Sequence, residues 1–186
     1  MNGQVGFHFD ETRCVGCATC AVACSDGNDV PPGPGAWRRL VTQEQGQFPQ
    51  VTVAFFPLSC LHCEDAPCVR ACLPRAIQKR PRDGIVTLDP QKCRPHCRRC
   101  AAVCPFGVPQ FDQQGLALPM CDFCSQRQAA GQKPLCILAC PQRALDAGPV
   151  ETLKEKYGSG AWPRALTDPR GCRPALVTKG KPAHQG

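Results

Sequence analysis

The chain is poor in the residues that build an ordinary core. Only 6% of its 186 residues are aromatic: 8 phenylalanines, 2 tryptophans and 1 tyrosine. No apolar run approaches the roughly 20 residues needed to cross a bilayer. Residues 1–10 lack the basic start and apolar stretch of a secretory leader. The chain is therefore expected to be soluble or peripheral, with export or membrane attachment supplied by a partner. It contains no nucleophile–base pair, phosphate-binding loop or paired-carboxylate pattern. It is expected not to be an enzyme on its own.

What the chain does have is cysteine, 17 residues of it, with 20 prolines and 17 glycines. At that density a short chain is a disulfide scaffold or a metal-cluster protein, and a chain so short of large apolar side chains needs such staples. Sixteen of the cysteines form four groups. These are Cys14, Cys17, Cys20 and Cys24; Cys60, Cys63, Cys68 and Cys72; Cys93, Cys97, Cys100 and Cys104; and Cys121, Cys124, Cys136 and Cys140. The recurrence is an internal repeat. Cys172 stands apart and reads as a spare thiol.

The first group has the C-x2-C-x2-C-x3-C spacing of bacterial ferredoxins, in which the fourth cysteine serves a second cluster. Three closely spaced thiolates on one loop suit three irons of a cubane, and the fourth lies about one helical turn beyond the third. Gly16 is expected to let the backbone pass close to the cluster. A disulfide framework would leave one cysteine over. Structural zinc uses two separated pairs rather than a triplet plus one. Iron–sulfur chemistry is the reading that the fourfold repeat favours. The formal charge of +7 then stops looking like a nucleic-acid footprint. Sixteen thiolates remove sixteen charges and four cubane cores of charge 2+ return eight, which leaves about −1.

Each group is flanked by short strand signals: Val5, Phe7 and Phe9; Val51, Val53 and Phe55; Ile85 to Leu88; and Leu116 with Leu118. Pro74, Pro105 and Pro141 follow the last cysteines of the second, third and fourth groups and end the short helices expected there. Ala76-Ile77, Val108 to Phe111 and Ala144-Leu145 then read as extended chain. The run from Pro31 to Gly35 is a rigid loop, and Trp37-Arg38-Arg39 reads as solvated. Residues 150–157 read as a helix, and the Pro/Gly/Lys-rich tail beyond as a docking extension or a disordered end.

With its cysteines read, the chain resembles the iron–sulfur electron-transfer (beta) subunits of the molybdopterin oxidoreductase family, and looks most like those of the dimethyl sulfoxide (DMSO) reductase group. The likeness runs from residue 5 to about residue 160. It rests on Phe9-Asp10 with Cys14-Val-Gly-Cys17, on Ser59-Cys60-Leu-His-Cys63-Glu-Asp-Ala-Pro-Cys68, and on Ala102-Val-Cys104-Pro-Phe-Gly-Val-Pro-Gln-Phe111. It rests also on Cys121-Asp-Phe-Cys124, Gly131-Gln-Lys-Pro-Leu-Cys136, Cys140-Pro and Arg143-Ala-Leu-Asp-Ala-Gly-Pro149.

The resemblance implies an α+β fold of two pseudo-symmetric ferredoxin-like modules. One takes residues 1–30 plus 112–149 and the other residues 51–111, with a loop insertion at 31–50 and a C-terminal docking extension at 150–186. It implies four [4Fe–4S] clusters with crossed ligation. Cluster one would take Cys14, Cys17, Cys20 and Cys140, and cluster two Cys24, Cys121, Cys124 and Cys136. Cluster three would take Cys60, Cys63, Cys68 and Cys104, and cluster four Cys72, Cys93, Cys97 and Cys100. The implied role is a relay between a large molybdopterin catalytic subunit, facing cluster one, and an integral membrane quinol/quinone subunit, facing cluster four. Reduction of an S- or N-oxide, or of a related oxyanion, is the implied overall reaction. The implied location is peripheral to a membrane, on its periplasmic face by co-export, with the cytoplasmic face as the alternative. The competing functions are a freely diffusing polyferredoxin and a structural zinc scaffold; nucleic acid is not an expected partner.

Two departures from the family pattern fall on the fourth cluster. Cys93 and Cys97 are spaced C-x3-C, and Pro74 comes one residue late. The expectation is a bulged loop that still delivers four thiolates. The alternatives are ligation by His96, which would raise the potential as in Rieske centres, and a three-iron cluster. His62, between two cysteines, is expected to hydrogen-bond rather than ligate.

Overall fold

The computed structural model describes residues 3–166 and 171–180. Strand β1 (Val5–Asp10) leads into the first cysteine loop and α1 (Thr19–Asp26). A long hairpin follows, β2 (Arg38–Gln47) and β3 (Gln50–Ser59). Next come α2 (Pro67–Ala71), β4 (Ile77–Lys79), β5 (Val86–Leu88) and α3 (Arg99–Val103). The chain ends with α4 (Ser125–Ala129), α5 (Leu135–Leu138), β6 (Leu145–Pro149), α6 (Val150–Tyr157) and β7 (Leu176–Lys179). The result is a small mixed α/β fold.

The alternation in Val5-Gly6-Phe7-His8-Phe9-Asp10 predicts a strand with one buried face, yet all six residues are buried. Phe7 and Phe9 point into the main core, with ring centroids 4.5 Å from Phe123 and 4.9 Å from Phe56. The opposite face is covered from the C-terminal side. β1 is the middle strand of three, antiparallel to β6 (Val5 opposite Pro149) and parallel to β7 (Phe7 opposite Leu176). His8 stacks on Tyr157 of α6 at 3.7 Å between centroids. Gly6 has no room for a side chain, since a Cβ there would lie 2.2 Å from the Ala175 carbonyl oxygen. The segment after residue 150 thus supplies a helix and a strand to the fold. Residues 181–186 of the expected docking extension, with His184, lie outside the described residues.

The expected loop insertion at 31–50 needs correction. The proline run is irregular, but Arg38–Gln47 is a strand paired rung for rung with Gln50–Ser59. Its outward side chains are polar because that face is solvated, and its register is fixed by β3 rather than by its own pattern. Arg38, expected to be solvated, is buried. The expected strand at Leu116 and Leu118 reduces to one isolated bridge, Phe111 opposite Ala117.

Candidate iron–sulfur centres

The helices that carry cysteines are four to eight residues long, too short to persist without tertiary packing. Each joins two cysteine sets. α1 holds Cys20 and Cys24; α2 holds Cys68 and stops just before Cys72; α3 holds Cys100 and stops just before Cys104; α5 holds Cys136, and Cys140 follows. Each pair is four residues apart, or roughly 6 Å of helical rise. α1 packs on α5, and α2 on α3.

The cysteines gather across the chain rather than by group. One cavity is lined by Cys14, Cys17, Cys20 and Cys140. A second is lined by Cys60, Cys63, Cys68 and Cys104, and a third by Cys72, Cys93, Cys97 and Cys100. Their cavity volumes, about 20, 30 and 20 Å³ respectively, are close to one another, as one kind of site would be. The remaining set meets in the interior. Burial pushes the Cys24 and Cys121 thiols up to about 12, and Cys136 is an electrostatic neighbour of both and of Cys124. Burial likewise pushes Cys20 and Cys100 up to about 11 and Cys68 to about 12, and holds Cys60 well above the ordinary thiol range. Such thiols become thiolates only with a cation to hold them.

Backbone N–H groups point at several sulfurs. Ile77 donates to Cys72 Sγ at 3.2 Å, Ala144 to Cys140 Sγ at 3.3 Å and Ala117 to Cys93 Sγ at 3.4 Å. Among the described residues no three His, Cys, Asp or Glu side chains converge at single-ion spacing. Three of the cysteine sets frame rooms, which fits a polynuclear cluster. A further sign of fit is the guanidinium of Arg38, buried among thiols with no hydrogen-bond partner for its Nε.

The two irregularities in the sequence are absorbed locally. The late Pro74 leaves the turn after the last cysteine unchanged. Arg75 N donates to Cys72 O at 3.0 Å, as Gly107 does to Cys104 and Arg143 to Cys140, both at 3.1 Å. The three residues share a positive φ of 55°, 56° and 49°. The extra residue of the Cys93–Cys97 loop is taken up at His96, which has φ 60° and donates its N–H to Gly115 O at 3.0 Å. The His96 ring is exposed and does not line the four-cysteine cavity. Gly115 makes room for it, since a Cβ there would lie 2.5 Å from His96 Nδ1.

His62 hydrogen-bonds, as expected, while Lys79 and Cys172 take roles the sequence did not show. His62 is fully buried, and its Nδ1 accepts the Val86 N–H at 3.0 Å, which ties the second cysteine loop to β5. Burial, reinforced by Lys79 and Arg38, lowers its pKa to about 3, so the ring is neutral. Lys79 Nζ donates to Gln4 Oε1, Cys63 O and Gly84 O and clamps the same loop. Gly16, expected to face a cluster, has φ 73° and leaves room for the Phe55 ring, 2.7 Å from where a Cβ would stand. Cys172, read as a spare thiol, does not lie at the surface. It is buried and hydrogen-bonded with Cys63. Two backbone bonds carry it there, Glu64 N to Arg173 O at 2.6 Å and Ala175 N to Leu61 O at 3.0 Å. Its isolation in the sequence gave no signal of this.

Comparison with known proteins agrees with the chemistry of these sites. A family model described as a 4Fe–4S dicluster domain matches residues 51–150. The sequence is 37% identical to the B subunit of anaerobic dimethyl sulfoxide reductase of Escherichia coli K12, over 96% of this protein and 90% of that one. It is also 37% identical to the corresponding B subunit of Haemophilus influenzae, covering 95% and 89%. Its identity to protein NrfC of Escherichia coli K12 is 37%, covering 81% and 68%. The chain therefore belongs to the 4Fe–4S dicluster family of iron–sulfur electron-transfer subunits that includes the B subunits of anaerobic dimethyl sulfoxide reductases.

Proposed function

We propose that the chain relays single electrons through four [4Fe–4S] clusters, between a molybdopterin catalytic subunit and a membrane quinol/quinone subunit of an S-oxide, N-oxide or oxyanion reductase. The clusters supply one-electron storage; the protein supplies their order, their burial and the donors to their sulfurs. Cys14, Cys17, Cys20 and Cys140 would hold the first, and Cys24, Cys121, Cys124 and Cys136 the second. Cys60, Cys63, Cys68 and Cys104 would hold the third, and Cys72, Cys93, Cys97 and Cys100 the fourth. The helix pairs α1–α5 and α2–α3 support two ferredoxin-like modules, residues 1–30 with 112–149 and residues 51–111. In each, the paired helices link one set to the next. Cys121 of the second set is among the thiols that hold Cys60 of the third set up in pKa, so the two modules adjoin there.

The observation that carries the relay reading is the pattern of exposure. In the second and third sets no cysteine is exposed, whereas Cys17 in the first and Cys97 in the fourth are. Exposed apolar side chains sit on the neighbouring elements: Val15 in the first cysteine loop, Val22 in α1 and Leu138 in α5 near the first set, Leu73 after α2 and Val103 in α3 near the fourth, with Phe48, Val51 and Val53 exposed apart from these on the β2–β3 hairpin. Two open ends and a closed middle suit a wire docked at both ends. A freely diffusing polyferredoxin would not need an apolar surface at both. No helix among the described residues is long and apolar enough to cross a membrane, so a membrane partner would provide the anchor. The family resemblance favours the periplasmic face, reached by export with a partner.

The test is anaerobic purification of the chain from its native host. The expected results are about sixteen iron atoms per chain, four per cluster, and a stable complex with a large molybdenum protein. A monomer that carries iron but retains no partner would support the polyferredoxin instead. Zinc in place of iron would return the scaffold reading.

A further inference from the structure

Arg38 opens β2 opposite Ser59, and its side chain turns inward. Only 3% of the residue is exposed. Nη1 donates to Pro57 O at 2.5 Å and Nη2 to Ser59 Oγ at 3.0 Å. The guanidinium carbon stands 4.9 Å from the Phe7 ring centroid. Nε has no partner among the described residues. None of these contacts is anionic. The strongest electrostatic neighbours of the group are Cys136, Cys121, Cys20 and Cys24. Three of those cysteines belong to the second set and one to the first.

A guanidinium stays protonated in any protein environment, and a buried charge is strongly unfavourable unless an opposite charge meets it. Among the described residues its largest anionic partners would be the thiolates of Cys136, Cys121, Cys20 and Cys24, so this cation is fixed where the first two sets adjoin. Four thiolates around a cubane carry a net charge of about −2 when the core is oxidised and −3 when it is reduced. Uptake of one electron therefore adds one negative charge, with no bond made and no proton moved. A fixed cation alongside favours the form with more negative charge.

We propose that Arg38 raises the reduction potential of the cluster held by Cys24, Cys121, Cys124 and Cys136, and to a smaller extent that of its neighbour at Cys14, Cys17, Cys20 and Cys140. Arg38 is then a positioning residue for electrons. It makes the module nearer the catalytic partner the place where they settle. The third set, reached through Ser59 beside Cys60, feels it less, and the fourth is left untouched.

The inference rests on the ligand sets proposed above, and the test separates the two. The holoprotein in its complex is titrated redoxically and followed by low-temperature EPR. The affected cluster is identified as the one whose signal Cys124→Ser perturbs. In Arg38→Gln that cluster is expected to hold its reduced form about tenfold less well at a fixed potential, a fall of about 59 mV for one electron. The first and third clusters fall less, and the fourth stays where it was. Arg38→Lys keeps the charge and is expected to stay within about threefold of wild type. Unchanged midpoints in Arg38→Gln, or an equal fall in Arg38→Lys, overturn the inference. Should Arg38→Gln lose iron, Arg38→Met with Ser59→Ala removes donor and acceptor together, and the same fall is expected. Loss of that cluster in this double variant as well overturns the inference, because the residue then holds the site and not its potential. Wild-type protein without four-iron clusters would bring down the ligand sets instead.

Discussion

At the scale of single residues, the histidine that looks most like an alternative ligand in the sequence does not line the site beside it. His96 lengthens the third cysteine loop, but its ring is exposed and only its backbone is engaged, by Gly115. His96→Ala is expected to leave iron content and the EPR spectrum of the fourth cluster unchanged, whereas Cys97→Ser alters both. A three-iron signal in the Ala variant would mean that the imidazole ligates. Cys172 is the converse case, unremarkable in sequence and buried against Cys63. In anaerobic holoprotein it is expected to resist alkylation by iodoacetamide, and to react fully once the chain is unfolded; mass spectrometry of the Cys172 peptide checks this. The sixteen grouped cysteines were legible because spacing within a loop is a local property. The roles of Cys172 and Arg38 were not, because the segment before β7 and the strand β2 meet these loops only in three dimensions. A charged side chain after a proline-rich run gives no local sign of burial.

At the scale of elements, the helices are too short to stand alone, so the fold depends on what clamps them. One clamp is Asp146 in β6. It accepts from Lys133 Nζ at 2.6 Å, Tyr157 Oη at 2.7 Å and Lys156 Nζ at 3.0 Å. It thereby ties the loop before α5 and the end of α6 to the central sheet. Burial alone would raise the Asp146 carboxyl, but the bonds from Lys133, Tyr157 and Lys156 outweigh it and hold the group far below the ordinary carboxylate range. Asp146→Asn is expected to cost about 1–2 kcal/mol at pH 7, the exposed lysine ends adding little. The folded pKa lies below the unfolded value of about 3.9. The contribution is therefore complete at neutral pH and is lost as pH falls below about 4. The gap in melting temperature between wild type and Asp146→Asn should narrow in acid; a gap that holds or widens would show that the carboxylate charge is not what stabilises the clamp. Strands β1 and β3 and helix α6 were legible from alternation and helix pattern. β7 was not, since Leu176–Lys179 is four residues long and acquires its strand character from pairing with β1.

At the scale of the molecule, the cysteine sets are part of the core and not additions to it. Cys20, Cys60, Cys100, Cys121 and Cys136 belong to one continuous cluster of buried residues with Phe7, Phe9, Phe56 and Phe123. Without metal, thiols pushed to 11 or 12 remain protonated at neutral pH. The cavities at three sets would then collapse or fill with water, and Arg38 would be a buried cation with no anion to meet it. Each of these opposes folding, and the few aromatic side chains offer little to offset them. Iron, sulfide and chain should therefore fold as one event, as metal-dependent small domains do. The chain produced without iron is expected to show no cooperative thermal transition and no near-ultraviolet dichroism from its buried aromatic rings. Anaerobic addition of iron and sulfide should restore both together with the cluster absorbance. A cooperative transition in the iron-free chain would mean that the three-stranded sheet and α6 hold without the clusters. The buried guanidinium would then have to find its compensation within the protein itself.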